Sequence, residues 1–406
     1  MKRSFTVLSI ALVIAAATRP LSTCAYTIDM TIPLAGGCPQ PDRQNISPAA
    51  PLSPRWSTAL PTAQPILSVA PPFSSAQVTE IAGVITASFS VWSGVSGTTF
   101  NSSTYPGMVS PLSSVTTQNS CTDDAGDDAD GIDTICFNQS STAFTTGVLA
   151  FTRVITADAP GVSVGASGPS AFAGQILDSD TLFNNTGQVT FATPGALGTA
   201  QGQGAYDLES LLIHELGHWF GLDHSAVWRA IMFPYAPPPG QFLGLRPSRQ
   251  SPDGPLADDD RTGIRTLYPD PNDAVNVGTI RGKILPANAF ALATLPEPYA
   301  GGTVTGIFGA HVVAVDTATG SVIAGTVGGW SCGVTSSFTQ FDGSYEIDRL
   351  PVGHSYILYA EPLDSLVGAP NVGESLNDQC APGALPSCTT PAINTNFNPR
   401  IRPASP

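Results

Sequence analysis

The sequence predicts an α+β domain built around one histidine-bearing helix, followed by a smaller all-β antiparallel sandwich. Three observations lead there. The 406 residues exceed what one hydrophobic core ordinarily organises. Leu208, Leu212, Leu216 and Trp219 recur at helical spacing after Asp207, a good N-cap residue, and the chain before them alternates strand-like and helical segments. Past Tyr268-Pro269-Asp270-Pro271-Asn272, which breaks a helix and reads as a linker, short apolar segments alternate with Gly, Pro and Asp turns.

Taken in order, Lys2 and Arg3 precede an apolar run from Phe5 to Ala17, with small residues again at Thr23 to Ala25; residues 1–25 therefore read as an export signal. An alternative takes Leu21-Ser22-Thr23-Cys24 as a lipid-attachment motif that anchors the chain at Cys24. No later segment has the uninterrupted apolar length of a membrane helix. Residues 26–54 form a Pro-rich leader or short propeptide. Within 55–270, strands are expected at Ile66 to Val69, Gly147 to Ile155 and Gln188 to Phe191. Helices are expected from Ala76 to Val91, from Asp207 onward and from Asp259 to Leu267. Region 275–365 carries strands at Gly278 to Ile284, Ala310 to Asp316, Ser321 to Val327, Ser344 to Ile347 and Ser355 to Glu361, and residues 366–406 are a Cys-containing tail.

Composition narrows the function classes. The net charge of −15, with Lys2 and Lys283 the only lysines, makes the surface repel phosphate backbones, which excludes nucleic acid as a partner. Loss of Lys2, Arg3 and Arg19 with the signal takes the charge to −18. Charged residues are only 12%, with 40 Gly and 37 Pro, a balance that suits a loop-rich extracellular protein. Without Cys24 six cysteines remain, an even set suited to disulfides in an oxidising compartment; proximity pairs Cys121 with Cys136 and Cys380 with Cys388.

The chemistry concentrates in His214-Glu215-Leu216-Gly217-His218-Trp219-Phe220-Gly221-Leu222-Asp223-His224. Helical residues four apart share a face, so His214 and His218 can meet one metal ion. Catalytic zinc takes three protein ligands and keeps one position open, and His224 supplies the third if the chain turns sharply at Gly221. Glu215, not needed as a ligand, can then take a proton from zinc-bound water and pass it to the leaving amine. An accidental arrangement would have to place three of the chain's five histidines in this run.

This run resembles the metzincin signature, and Ser225 after the third histidine is similar to the matrixin branch. Arg55-Trp56, Phe89 to Trp92 with Phe100, Asp130-Gly131-Ile132 and Ile176-Leu177-Asp178-Ser179-Asp180 extend the resemblance over roughly Trp56 to Tyr268. It implies a twisted, mostly parallel sheet with helices, one catalytic zinc and cleavage of protein or peptide substrates. It further implies that Ala230-Ile231-Met232-Phe233-Pro234-Tyr235 is the Met-turn, with Met232 beneath the metal, and that Asp259-Asp260 and Leu267-Tyr268 belong to the family's last helix as structural residues.

Departures from the family are informative. No histidine precedes His214, so the second, structural zinc of animal matrixins is not expected. Asp123, Asp124, Asp127, Asp128 and Asp130 offer oxygen ligands for calcium without following the EF-hand pattern, and otherwise read as a solvated acidic loop. Cys38-Pro39-Gln40-Pro41-Asp42 partly resembles the cysteine switch, in which a propeptide thiolate fills the open zinc position; a disulfide is the alternative role for Cys38.

Ala310 to Asp316, Gly343-Ser344-Tyr345-Glu346-Ile347 and Leu350-Pro351-Val352-Gly353 resemble the regulatory-like β-sandwich of carboxypeptidases, a module that could bind a surface. His311 and His354 read as structural or surface histidines and not as a second metal site. The sequence thus points to a secreted zinc endopeptidase whose substrate extends along an edge strand near Ala171 to Ile176. The alternative is an exported adhesion or binding protein that uses the same fold as a scaffold.

Overall fold

Helix formation in the first half follows apolar spacing. Ile81, Val84, Ile85, Ser88, Phe89 and Trp92 are buried at intervals of three and four along one helix, the stripe that turns its face to the core. In the computed structural model the described residues are 6–14, 56, 64–66, 75–99, 133–137, 144, 147–156, 175–184, 187, 189–199, 202–225, 227–228, 230–243, 254–286, 306–307, 310–328, 331–332, 339–340, 343–362 and 400–403. Of these, residues 6–14, 64–66, 75–79, 327–328, 331–332, 339–340, 362 and 400–403 are described by their backbone alone.

The elements of the first half are β1 (Thr6–Ile14), β2 (Gln64–Ile66), α1 (Ser75–Ser93), β3 (Thr134–Cys136), β4 (Val148–Thr156), β5 (Ile176–Phe183), β6 (Phe191–Ala192), β7 (Tyr206–Asp207), α2 (Leu208–Trp219), β8 (Tyr235–Ala236) and α3 (Asp258–Leu267). The main sheet runs β2-β3-β5-β4-β1-β8. It is mostly parallel, as expected: β2, β3, β5, β1 and β8 share one direction, and β4 alone runs antiparallel to its neighbours β5 and β1.

This order corrects the expected substrate edge. β5, which begins at Ile176, has every residue buried and lies between β4, which pairs along its length, and β3, which pairs at Thr181 and Leu182; residues 171–174 lie outside the described residues. β4 is the strand beyond it, and its far side meets the backbone of β1, which in turn pairs in parallel with β8 at Tyr235 and Ala236. The strand expected at Gln188 to Phe191 shrinks to Phe191–Ala192, which pairs in parallel with β7, while the Phe191 ring meets Phe183 edge-on at 5.5 Å.

Strand alternation decides what faces α2. Ala150 and Val154 join the main core with α2, while Phe151 faces the other way onto Leu182 and Cys136. Thr152, between them in phase with Ala150 and Val154, sits opposite Thr181 and bonds its hydroxyl at 2.9 Å.

The second half contains β9 (Val277–Lys283), β10 (Ala310–Asp316), β11 (Val322–Gly328), β12 (Ser331–Cys332), β13 (Thr339–Gln340), β14 (Ser344–Pro351), β15 (Tyr356–Pro362) and β16 (Arg400–Pro403). They form an antiparallel sheet β11-β10-β15-β16, a ribbon β14-β9 and a short pair β12-β13. The two halves on either side of residues 268–272 are in contact. α3 packs on β11 and β14, and the core that holds Ile264 and Leu267 continues into Ile323, Ala324, Ile347 and Leu350. Tyr268 is buried, its hydroxyl donating to the Phe220 carbonyl at 2.8 Å and accepting from the Trp56 N–H at 3.0 Å. Among the described residues no helix is long and apolar enough to cross a membrane.

Candidate active site

α2 starts at Asp207, whose side chain accepts from the Ser210 N–H at 2.9 Å, and ends where Gly221 takes φ +98°. There Gly221 N–H donates to His218 O at 2.8 Å and Leu222 N–H to Gly217 O at 3.0 Å, the paired bonds of a left-handed glycine cap. Every residue of α2 except Glu209 is buried, because the sheet, α1 and the loop after Gly221 enclose it. Trp56 closes the end, its indole N–H donating to Trp219 O at 2.8 Å and its ring 4.8 Å from that of Trp219.

The turn after Gly221 brings His224 back to the two helical histidines. One ligand atom from each of His214, His218 and His224 lies within 4.8 Å of the others, and all three residues are buried. His214 Nδ1 donates to Ile231 O at 2.6 Å and His218 Nδ1 to Leu222 O at 2.7 Å, which leaves each Nε2 as a bare lone pair. Those two Nε2 atoms stand 3.2 Å apart. Two facing lone pairs repel unless a cation lies between them. Nitrogens about 2.0–2.1 Å from a tetrahedral zinc are separated by roughly 3.3 Å, so this donor set fits that ion. Burial lowers the His214 imidazole to about 4 and holds His218 well below its ordinary value, the latter helped by the neighbouring histidines.

Glu215 is fully buried. Its Oε2 accepts from the Thr152 hydroxyl at 2.8 Å, while Oε1 has no protein partner. Burial raises the carboxyl to about 8, against the opposing pull of the Thr152 bond. Nothing about Thr152 marked it in the sequence except that it is polar inside the apolar run Val148 to Thr156.

Met232 is buried and lies against Gly217, where an added Cβ would stand 2.1 Å from its sulfur and 2.9 Å from the Trp92 ring. Gly217 thus lets the Met-bearing turn approach α2 between the two histidines. Its signal was in the sequence, since glycine inside a helix costs about 1 kcal/mol relative to alanine and needs a packing reason. Asp260 holds the same turn from the other side, accepting from Ile231 N–H at 2.8 Å, Met232 N–H at 3.2 Å and Ala257 N–H at 2.8 Å.

The two histidines of the second half have partners of their own. His311 pairs with Glu361 at 2.9 Å inside the second half, and the half-exposed His354 pairs with Asp316 at 2.7 Å. Cys24, Cys38, Asp123, Asp124, Asp127, Asp128 and Asp130 lie outside the described residues.

Residues 157–269 match the family model described as Matrixin. Metalloendoproteinase 1 of Glycine max is 45% identical over 64 residues, which cover 16% of this chain and 17% of that protein. Metalloendoproteinase 1-MMP of Arabidopsis thaliana is 35% identical over 95 residues, covering 21% of this chain and 23% of its own length. The chain therefore spans less than a quarter of either curated relative. The stretch that contains the histidine triad, the Met-bearing turn and α3 is thus similar to matrixin-type catalytic domains.

Proposed function

We propose that this protein is an exported zinc endopeptidase, with His214, His218 and His224 as metal ligands and Glu215 as the proton-transferring carboxylate. The observation that carries the reading is the pair of Nε2 lone pairs 3.2 Å apart, both Nδ1 atoms donating to carbonyls, beside a buried carboxylate with one oxygen unpartnered. Zinc bound there supplies Lewis acidity toward a water molecule and a substrate carbonyl. Glu215, oriented through Oε2 by Thr152, takes the proton of the attacking water at Oε1 and delivers it to the departing amine. Burial supports that role by holding the carboxyl near neutrality, where it both accepts and releases a proton. Met232, against Gly217, forms the apolar floor under the histidines.

Export fits the apolar N-terminal run, and Cys136, a disulfide-bonded cysteine, fits an oxidising compartment. Loss of residues 1–25 frees the far side of β4 and Tyr235–Ala236, and an extended peptide then takes the course that β1 follows, antiparallel to β4 and parallel to β8. In the second half, the antiparallel sheet and ribbon are compatible with the regulatory-like sandwich of carboxypeptidases, and Asp123 to Asp130 with a calcium loop.

The test is zinc content by elemental analysis together with hydrolysis of an unfolded protein substrate. One zinc per chain and cleavage that a chelator abolishes and added zinc restores are the expected results. A chain that holds zinc and binds a partner but cleaves no peptide bond belongs to the adhesion class instead.

The acid behaviour of the metal site follows from the fold. A neutral imidazole is the ligating form, and His214 keeps it down to about 4 instead of the ordinary 6.5. Protons therefore begin to compete at His214 only as pH falls toward 4. Zinc affinity measured by chelator competition should change by less than about threefold between roughly pH 7.5 and pH 5.5. A weakening of about tenfold per pH unit that sets in near 6.5 contradicts the neutral state of His214 and His218.

A further inference from the structure

Asp259, buried in the first turn of α3, divides its carboxylate between two parts of the molecule. Its Oδ2 accepts from the Ser225 hydroxyl at 2.7 Å. Ser225 directly follows His224; its N–H donates to Met232 O at 2.7 Å and its Oγ accepts from Val227 N–H at 3.0 Å. Asp259 Oδ1 accepts from the Gly325 N–H at 3.1 Å. Gly325 lies in β11, the outermost strand of its sheet, so this donor comes from the edge that β10 does not pair. Beside it, Val322 of β11 packs on the small cluster of Val227, Ala230 and Ala257.

We propose that the β11 edge of the C-terminal sheet is part of the support of the metal site: Gly325 holds Asp259, Asp259 holds Ser225, and Ser225 sets the position of His224. Asp259 is a positioning residue. The proposal rests on the reading of the triad as a zinc site. Its physical basis is the unequal footing of the three histidines. His214 and His218 ride on a rigid helix, whereas His224 stands on the loop after Gly221, whose course depends on the bonds of the adjacent Ser225. Ligands with loose supporting partners lose metal affinity, typically by about 10–100-fold. The C-terminal half is then a working part of the peptidase and not an appended module.

The experiment measures zinc dissociation constants on the full chain by competition with a chromophoric chelator, well below the unfolding temperature of each variant. Ser225→Ala, Asp259→Ala and Gly325→Pro are each expected to weaken zinc binding by roughly 10–100-fold. Gly325→Pro removes the N–H of an edge strand, where proline is tolerated, and puts the ring Cδ in its place against Asp259. In a Ser225→Ala background it should add little, because the three residues act in one chain of contacts. Should Gly325→Pro fail to fold, Val322→Ala thins the apolar contact of β11 without touching its ladder and should weaken zinc by more than about twofold. Affinities within about twofold of wild type in folded variants, or effects that simply multiply, overturn the proposal, since a merely structural Asp259 alters thermal stability and not zinc affinity. A wild-type chain that binds no zinc defeats the zinc reading itself; a zinc-binding wild type with indifferent variants defeats only this inference.

Discussion

Glu215→Gln should lower kcat for peptide hydrolysis by roughly 100-fold to 10,000-fold, the range that a positioned general base contributes. The amide has nearly the shape of the carboxyl, and its oxygen still accepts from the Thr152 hydroxyl that now holds Oε2 at 2.8 Å. It cannot take a proton. Zinc content should stay at the wild-type level, because the three histidines and their carbonyl partners are untouched. Folding stability should not fall either, since a buried neutral amide replaces a carboxyl whose charged form is penalised by desolvation. Steady-state rates, metal analysis and a thermal melt on the same preparations separate these effects. Activity within about tenfold of wild type, with zinc intact, would remove Glu215 from the proton-transfer role.

Asp260→Ala should be the most destabilising single change at the site, by on the order of 3 kcal/mol. Three N–H groups, those of Ile231, Met232 and Ala257, lose their acceptor inside the core. Each unsatisfied donor costs roughly 1–3 kcal/mol, and relief of the desolvated carboxylate offsets part of the sum. The pH dependence tests the offset. Burial raises Asp260 from 3.8 to about 6, so the folded state binds its proton more readily than the unfolded chain does. The penalty on the charged form is then present above about 6 and is relieved as pH falls through 6 toward 3.8. Wild type gains that relief and the variant does not, so the destabilisation measured by urea unfolding should be larger at pH 5 than at pH 7.5, by about 1 kcal/mol. A loss below about 1 kcal/mol at both pH values would mean that water replaces the carboxylate. The same variant should also loosen zinc, because the carbonyl of Ile231 orients His214.

Local spacing determined a good deal of this protein. A spacing of four from His214 to His218, a cap at Asp207 and a glycine at 221 are short-range facts of helix geometry, and the structure brings the three histidines together along those lines. Apolar periodicity likewise located α1, β4, α3 and strands β9, β10, β11, β14 and β15 within a few residues, but not β12, β13 or β16. It could not tell that α2 is buried almost all round, because period describes one element and burial depends on everything packed against it. Nor could it place β4 outside β5, which moved the open edge away from Ala171 to Ile176. The residues that act on the site from a distance were the hardest to read. Thr152 reaches Glu215 across 63 positions, Asp260 reaches Ile231 across 29, and Gly325 reaches Asp259 across 66. Such contacts depend on strand register and on the docking of one half against the other. These long-range matters are decided by the tertiary structure, whereas the ligand spacing follows from the pitch of a single helix.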